Sequence, residues 1–364
     1  MISALAIATL LASILGFWIL ANRVEKTDGG GFDSADKIQK FHTLPVPRVS
    51  GLILFPACTI SLIILKHLQS SADFGLLYSL SAFPVLIAGL YDDVSGHLKP
   101  IIRLIAAALA AGIFIYFAES IIGNFGIDIL DWLTSNVLVA LTLTMLTIVT
   151  VTNGYNLIDG FNGLSAATAV VFLFGIGVIA YQNSAPSYGY YSLIFGIPLI
   201  AFLYFNFPSG SVFLGDGGAY FIGFVNVCMS ISVASLPQVS SMAVFLLCAY
   251  PITETAFSFF RKLFTPGKHP FSPDDRHLHM LVFRVLEIYF IKKKLNVSRY
   301  MNFINSTVTV VMLPFIILPT VFSIFMFSNS LCMFWFFLVW AGFYCLIYFV
   351  IAQFLRKIQE KYTL

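Results

Sequence analysis

Apolar residues fill this chain in long unbroken runs, and polar residues are confined to the gaps between them. A run of about 17–25 apolar residues is the length that crosses a bilayer as a helix. Eleven such runs are predicted, at roughly 2–21, 49–67, 74–91, 100–119, 136–152, 163–181, 188–205, 219–235, 238–260, 301–327 and 331–352. The pattern predicts an all-α fold, a polytopic membrane helical bundle read as a single domain over 1–364. Its polar motifs fall within roughly 22–290, and 300–364 supplies C-terminal helices and a tail. The first run is full length, with no basic stretch before it and no small-residue cleavage site after it. It is read as a retained span.

Composition agrees. The chain is 59% hydrophobic and 10% charged, against about 25% charged in an average soluble domain. Of the 20 Lys and Arg residues, all but Lys66 fall in the gaps on one side of the predicted bundle. Basic loops stay in the cytoplasm, so that side is expected to be cytoplasmic, with the N-terminus outside and the C-terminus inside. These loops face an anionic leaflet and give no reason to expect a nucleic-acid partner. The five cysteines lie inside apolar runs without metal-binding spacing and are read as packing residues.

The most informative gap is Asn153–Leu164, where Asn153, Asn156, Asp159 and Asn162 recur every third residue. That spacing keeps them near one face of a tight helix end. No Lys or Arg occurs from 104 to 260, so Asp159 has no cationic partner in its own stretch. An ionisable group in such a setting is a functional candidate. The third run ends in Asp92-Asp93, adjacent carboxylates that repel unless a cation intervenes; Lys99 and Arg103 are the nearest cations in sequence. The eighth run opens with Gly215-Asp216-Gly217-Gly218. Free amides at a helix start suit phosphate oxygens, and an Asp there suits a metal that bridges to them. An aspartate N-cap would look the same.

Two further gaps are basic. Residues 22–48 end in His42-Thr-Leu-Pro-Val-Pro-Arg48, where two prolines force an extended approach. Residues 261–299 gather Arg261, Lys262, Lys268, His269, Arg276 and His277, a cluster suited to a pyrophosphate. His277 and His279 have no partner pair to make a zinc site. A helix from about 280 to 294 reads as interfacial, as does the outer segment 120–135. Acidic residues for Mg²⁺, basic residues for phosphates and glycines for close approach thus fall on one face, the equipment of phosphoryl transfer.

These motifs together resemble the polyprenyl-phosphate N-acetylhexosamine-1-phosphate transferases. The resemblance rests on Pro45-Val-Pro-Arg48, Gly89-Leu-Tyr-Asp92-Asp93, Asn153-x-x-Asn156-Leu-Ile-Asp159-Gly-Phe-Asn-Gly163, Gly215-Asp216-Gly-Gly218 and Ser272-Pro-Asp-Asp-Arg276-His277-Leu-His279. Eleven spans resemble the N-acetylglucosamine branch more than the ten-span peptidoglycan branch. The resemblance implies a UDP-N-acetylhexosamine donor, a polyprenyl phosphate such as undecaprenyl phosphate as acceptor, and UMP as a product. It implies a multi-pass enzyme of the inner membrane at the start of cell-surface polysaccharide synthesis, with a homodimer as a further expectation. Mg²⁺, replaceable by Mn²⁺, would be held by Asp216, with Asp92 as a second candidate. Asp92, Asp93 and Asp159 would be catalytic, Asp159 also holding the uridine with Asn156. Asn153, Arg48, His42, Arg276, His277 and His279 would bind substrate, the last three at the pyrophosphate. The sequence departs from the family where Asn162 replaces a frequent Asp, where Met280 replaces a final His, and where Val49-Ser50-Gly51 follows Arg48 in place of a glycine pair.

Two rivals use similar residues. An aspartate-rich membrane prenyltransferase would need Asn-x-x-x-Asp-x-x-x-Asp spacing, which Asn153, Asn156 and Asp159 do not supply. A transporter would carry ionisable groups at mid-bilayer and an internal repeat; here the Asp residues end the runs and no repeat is evident.

Overall fold

The computed structural model describes residues 1–22, 32–33, 46–69, 74–267 and 274–362. His42 lies outside the described residues. Fifteen helices account for nearly all of the described chain, with one short antiparallel strand pair, Phe32–Asp33 (β1) and Val46–Pro47 (β2).

Among the described residues nine helices are long and apolar enough to span: Ile2–Ala21 (α1), Gly51–Leu68 (α2), Pro100–Ala118 (α5), Val137–Ile158 (α7), Leu164–Gln182 (α8), Pro186–Asn206 (α9), Gly215–Ala234 (α10), Val297–Met326 (α14) and Ser330–Tyr362 (α15). Gly75–Ser81 (α3) and Phe83–Ser95 (α4) together make a tenth, bent by 41° at Ala82. Helices suit the bilayer because they satisfy their own backbone groups.

The run expected at 238–260 is built differently. It is two helices, Met242–Leu247 (α11) and Ala249–Leu263 (α12), broken at Cys248. At 15 residues α12 is too short for a simple span, and it carries Glu254, Arg261 and Lys262. Among the described residues, nine helices and one bent pair stand where ten of the eleven expected runs lie, and a broken pair stands at the eleventh. The remaining helices are short or interfacial: Asp128–Thr134 (α6), and Leu278–Lys292 (α13), whose first six residues are buried.

Helix α10 is the axis of the bundle, with all but Asp216 of its residues buried. In lipid, helices associate through close packing and small residues, and α10 shows why. A Cβ on Gly89 of α4 would stand 2.5 Å from Gly217 Cα. A Cβ on Gly223 would stand 2.8 Å from the Tyr155 side chain of α7. Helices α1 and α15 lie at the periphery, with rows of exposed Leu, Ile, Phe and Val facing outward. The bends in chain direction bring one set of helix ends together: α2, α5, α8 and α10 begin, and α4, α7 and α9 end, at the same end of the bundle. The opposite end is tied by Ser240 N to Phe327 O (2.9 Å) and Ser241 N to Asn124 O (2.6 Å).

Candidate active site

Four aspartates from three helix ends meet where α10 begins. Helix α4 stops at Gly96, which takes a left-handed conformation (φ 66°) and returns its amide to Asp92 O, a common helix ending. This fixes Asp92 and Asp93 in the last turn. Gly215 starts α10 with φ 73°, and a Cβ there would lie 1.7 Å from the Arg48 carbonyl oxygen. Only glycine fits that approach.

Asp93 is fully enclosed. One oxygen accepts the Asp216 amide at 2.8 Å and the other accepts the Gly217 amide at 3.0 Å. Arg48 Nε donates to Asp93 at 3.0 Å, and its Nη2 donates to Asp216 at 2.9 Å. The amides expected to be free for phosphate are thus already taken by a carboxylate from α4, and the glycines expected to leave the backbone open instead carry helix contacts.

Asp92 Oδ1 accepts the Leu98 amide at 2.9 Å. Its Oδ2 and Asp216 Oδ2 both face Arg103 Nη1, at 3.3 and 3.4 Å. Arg103 was legible only as a nearby cation; the fold makes it the second arginine of the cluster.

Helix α7 runs six residues beyond the expected end at 152, capped at its start by Asn136, whose side chain accepts the Leu138 amide. Asn153 and Asn156 are therefore in its last turns and Asp159 is its C-cap. Asp159 lies beside Asp216, Arg48 and Asp93, facing the Gly215 amide. Burial of its carboxyl, then Asp216, push it well above the ordinary carboxylate range against the pull of Arg48. Asn153 donates its side-chain amide to Val149 O in its own helix at 2.8 Å; Asn156 is half-buried one turn before Asp159.

Asn162 is a joint. Its amide nitrogen donates to Asn305 Oδ1 (2.6 Å), its carbonyl accepts from Thr309 Oγ1 (2.7 Å), and its side chain donates to Pro208 O (2.9 Å). The turn carrying Asp159 is thereby pinned to α14 and to the loop before α10.

His277 and His279 do not line an open surface. Both are buried and turned to Glu254, an α12 carboxylate absent from every sequence motif named above. Glu254 Oε1 lies 3.0 Å from His277 Nδ1, and its Oε2 accepts the Tyr344 hydroxyl at 2.7 Å. His279 Nδ1 pairs with the Tyr250 hydroxyl at 2.9 Å, and its ring meets Phe161 edge-on at 5.5 Å. Burial holds the His279 imidazole below the ordinary histidine range, against the pull of Glu254. Asp274 is bonded to Ser258 (2.7 Å) and to Arg261, while Arg276 is exposed. The Nδ1 atoms of the two rings are engaged by Glu254 and Tyr250, while His279 Nε2 is buried and makes no hydrogen bond. The signal available was a lone acid in an apolar run.

Among the described residues no three His, Cys, Asp or Glu side chains are grouped as a metal cage. The donor chemistry still suits Mg²⁺: Asp92 Oδ2 and Asp216 Oδ2 are hard anionic oxygens aimed at one cationic point. Mg²⁺ typically takes only one or two carboxylates and completes its shell with water and substrate phosphates.

A sequence model of glycosyl transferase family 4 matches residues 76–234, which contain Asp92, Asp93, Arg103, Asp159 and Asp216. The chain is 29% identical over 254 residues to a probable undecaprenyl-phosphate N-acetylglucosaminyl 1-phosphate transferase of Bacillus subtilis, covering 66% of each chain. It is 25% identical over 315 residues to a decaprenyl-phosphate N-acetylglucosaminephosphotransferase of Mycobacterium leprae, covering 76% of each. It is also 27% identical over 257 residues to a phospho-N-acetylmuramoyl-pentapeptide-transferase of Prochlorococcus marinus, covering 66% of this chain and 70% of that one. The matched segment holds the four helix-end aspartates of the cluster, so it is over the site that the chain is similar to glycosyl transferase family 4.

Proposed function

We propose that the protein transfers an N-acetylhexosamine-1-phosphate from a UDP-sugar to a polyprenyl phosphate, undecaprenyl phosphate in the first instance. The reaction takes place on the cytoplasmic face of the inner membrane, releases UMP and begins cell-surface polysaccharide synthesis. The observation that carries this reading is the convergence of Asp92, Asp159, Asp216, Arg48 and Arg103 at one end of an apolar bundle. There a phosphate anchored by its lipid meets a soluble nucleotide sugar without leaving the bilayer. Nineteen of the 20 basic residues of the sequence belong to gaps at that end, which supports its assignment to the cytoplasm.

Asp216 and Asp92 would hold Mg²⁺, which neutralises phosphate charge as the pyrophosphate bond breaks. Asp93 is a positioning residue: it fixes the start of α10, and with it Asp216. Asp92 orients the acceptor phosphate and takes any residual proton. Asp159 and Asn156 form the nucleotide side. Exposed Arg276 offers charge to the pyrophosphate, and His277 and His279 hold its loop in place through Glu254.

The test is UMP release by purified protein in lipid nanodiscs, given polyprenyl phosphate, Mg²⁺ and a panel of UDP-N-acetylhexosamines. Lipid-dependent UMP is expected from at least one donor, with most of it lost in Asp216→Asn. No UMP from any donor, or release indifferent to the lipid, defeats the proposal.

A further inference from the structure

The two arginines of the cluster are held very differently. Arg48 makes two short bonds, 3.0 Å to Asp93 and 2.9 Å to Asp216. The Arg103 guanidinium also meets the Tyr220 side chain, and its contacts with the acids and the backbone are long: 3.3 Å to Asp92 Oδ2, 3.4 Å to Asp216 Oδ2 and 3.5 Å to Leu98 O. Its Nε is buried and makes no hydrogen bond. A guanidinium at its best makes short, parallel, bidentate bonds to one carboxylate. Arg103 instead points a single Nη1 between two carboxylates from α4 and α10, at nearly equal distances. That is the placement of a bridging cation, not of a committed ion pair.

We propose that Arg103 is a resident counter-ion: its guanidinium occupies the point that a divalent cation shares between Asp92 and Asp216, and the cation displaces it. The inference rests on the metal reading under Proposed function. Two like charges cannot share one point, so metal binding and the present Arg103 position exclude each other. The displaced guanidinium, rooted in the first turn of α5 and already a quarter exposed, is then free to meet the phosphates that arrive with the metal. Two consequences follow for the free protein. The acid cluster is neutralised without metal, so the helix ends stay packed. And metal affinity is set low until a phosphate is present to receive Arg103, which couples metal and nucleotide binding.

The experiment is Mn²⁺ binding, read as the loss of the free-ion electron paramagnetic resonance signal, on nanodisc-held protein with no nucleotide. Arg103→Gln is expected to bind Mn²⁺ roughly tenfold more tightly than wild type, within the usual range of coupling between ligands. Arg103→Lys, which keeps the charge, is expected to fall between the two. Asp216→Asn in the Arg103→Gln background is expected to abolish the gain. Addition of UDP is expected to tighten Mn²⁺ binding in wild type more than in Arg103→Gln. Loss of the charge alone would tighten Mn²⁺ binding equally with and without UDP, so displacement is read in the larger effect of UDP on wild type, and equal effects of UDP on the two proteins overturn it. Equal or weaker binding in Arg103→Gln, with wild type binding Mn²⁺, overturns the displacement and leaves the metal reading standing. Binding by neither protein, with or without UDP, overturns both. Should Arg103→Gln fail to fold, Arg103→Lys with no gain in affinity also overturns it.

Discussion

Asp93 caps the helix that Asp216 begins: its two oxygens accept the Asp216 and Gly217 amides at 2.8 and 3.0 Å, across two different helices. A helix N-terminus attracts anions through its unpaired amides and its dipole. Here a buried carboxylate fills that position, and Arg48 neutralises it from the other side. Adjacent in sequence, Asp92 and Asp93 thus do different things, Asp93 closing the bundle and Asp92 facing Arg103.

Asp93→Ala leaves two buried amides and Arg48 Nε without their acceptor. Breaking a buried pair in this way costs about 3–5 kcal/mol. Asp92→Ala removes a partly exposed group held by one amide and one long arginine contact, a loss of about 1 kcal/mol. The expected outcome is a large fall in unfolding temperature for Asp93→Ala and a small one for Asp92→Ala, by tryptophan fluorescence in detergent. Equal falls in the two variants contradict the division of roles.

A second contrast concerns the Asn162 joint. Asn162→Ala removes one side-chain bond to Pro208 O, and Ser306 Oγ still donates to that carbonyl at 2.8 Å. Asn305→Ala instead orphans the buried Asn162 amide. The expected destabilisation is about 1 kcal/mol for the former and up to about 3 kcal/mol for the latter. Activity should follow the same order, since the turn carries Asp159. A milder effect of Asn305→Ala on both measures rules the joint out.

Much of this was legible in the residues. Spans follow from run length, and all but one of the eleven appear as a spanning helix or the bent pair. The exception, 238–260, failed because run length counts apolar residues and is blind to one buried acid and a break at Cys248. Asp92, Asp93, Asp159, Asp216 and Arg48 were singled out correctly as residues that the fold gathers, through the parity of the span ends. What each faces was not legible. Whether Asp93 looks into the cleft or back onto α10 depends on a close approach of Gly89 to Gly217, which no spacing reveals. His277 and His279 read as cations in a basic loop because Glu254 is 23 residues from the first in sequence.

The histidine network carries a pH signature. Burial lowers the folded-state pKa of His279, so between the unfolded value of about 6.5 and the folded one, only the unfolded chain binds the proton. Stability is therefore complete above that unfolded value and is lost as pH falls below it. Asp274 is held below the carboxylate range, against burial, by Ser258, His277 and Arg261. Its contribution is present above about pH 4 and is lost as pH falls through the folded value. Unfolding temperature measured from pH 8 to 3 is expected to drop in two stages, and His279→Gln should remove the upper one. Parallel curves for wild type and His279→Gln exclude the assignment.

The cluster also bears on the chemical route. In a two-step scheme an Asp carboxylate attacks the donor and forms a phospho-enzyme, which the lipid phosphate then resolves. In a one-step scheme the lipid phosphate attacks the donor's β-phosphorus and expels UMP. A nucleophilic carboxylate needs an oxygen free to reach phosphorus. Asp93 has both oxygens bound to amides within the core. Asp92 has one on the Leu98 amide and one facing the point that Arg103 holds in the free protein and the metal would take for reaction, and Asp216 has one oxygen on Arg48 and the other at that same point. The lipid phosphate needs little activation, because its second pKa near 6 leaves it largely dianionic at neutral pH. The one-step scheme is the expected one, with Asp92 orienting the acceptor. The two differ when lipid is absent, since a phospho-enzyme would let labelled UMP exchange into UDP-sugar without any acceptor. Carefully delipidated protein is expected to show no exchange, and added polyprenyl phosphate is expected to restore it. Exchange that proceeds without lipid and vanishes in Asp92→Asn would instead establish Asp92 as the nucleophile, and would require its bond to the Leu98 amide to open or its other oxygen to leave the metal before each turnover.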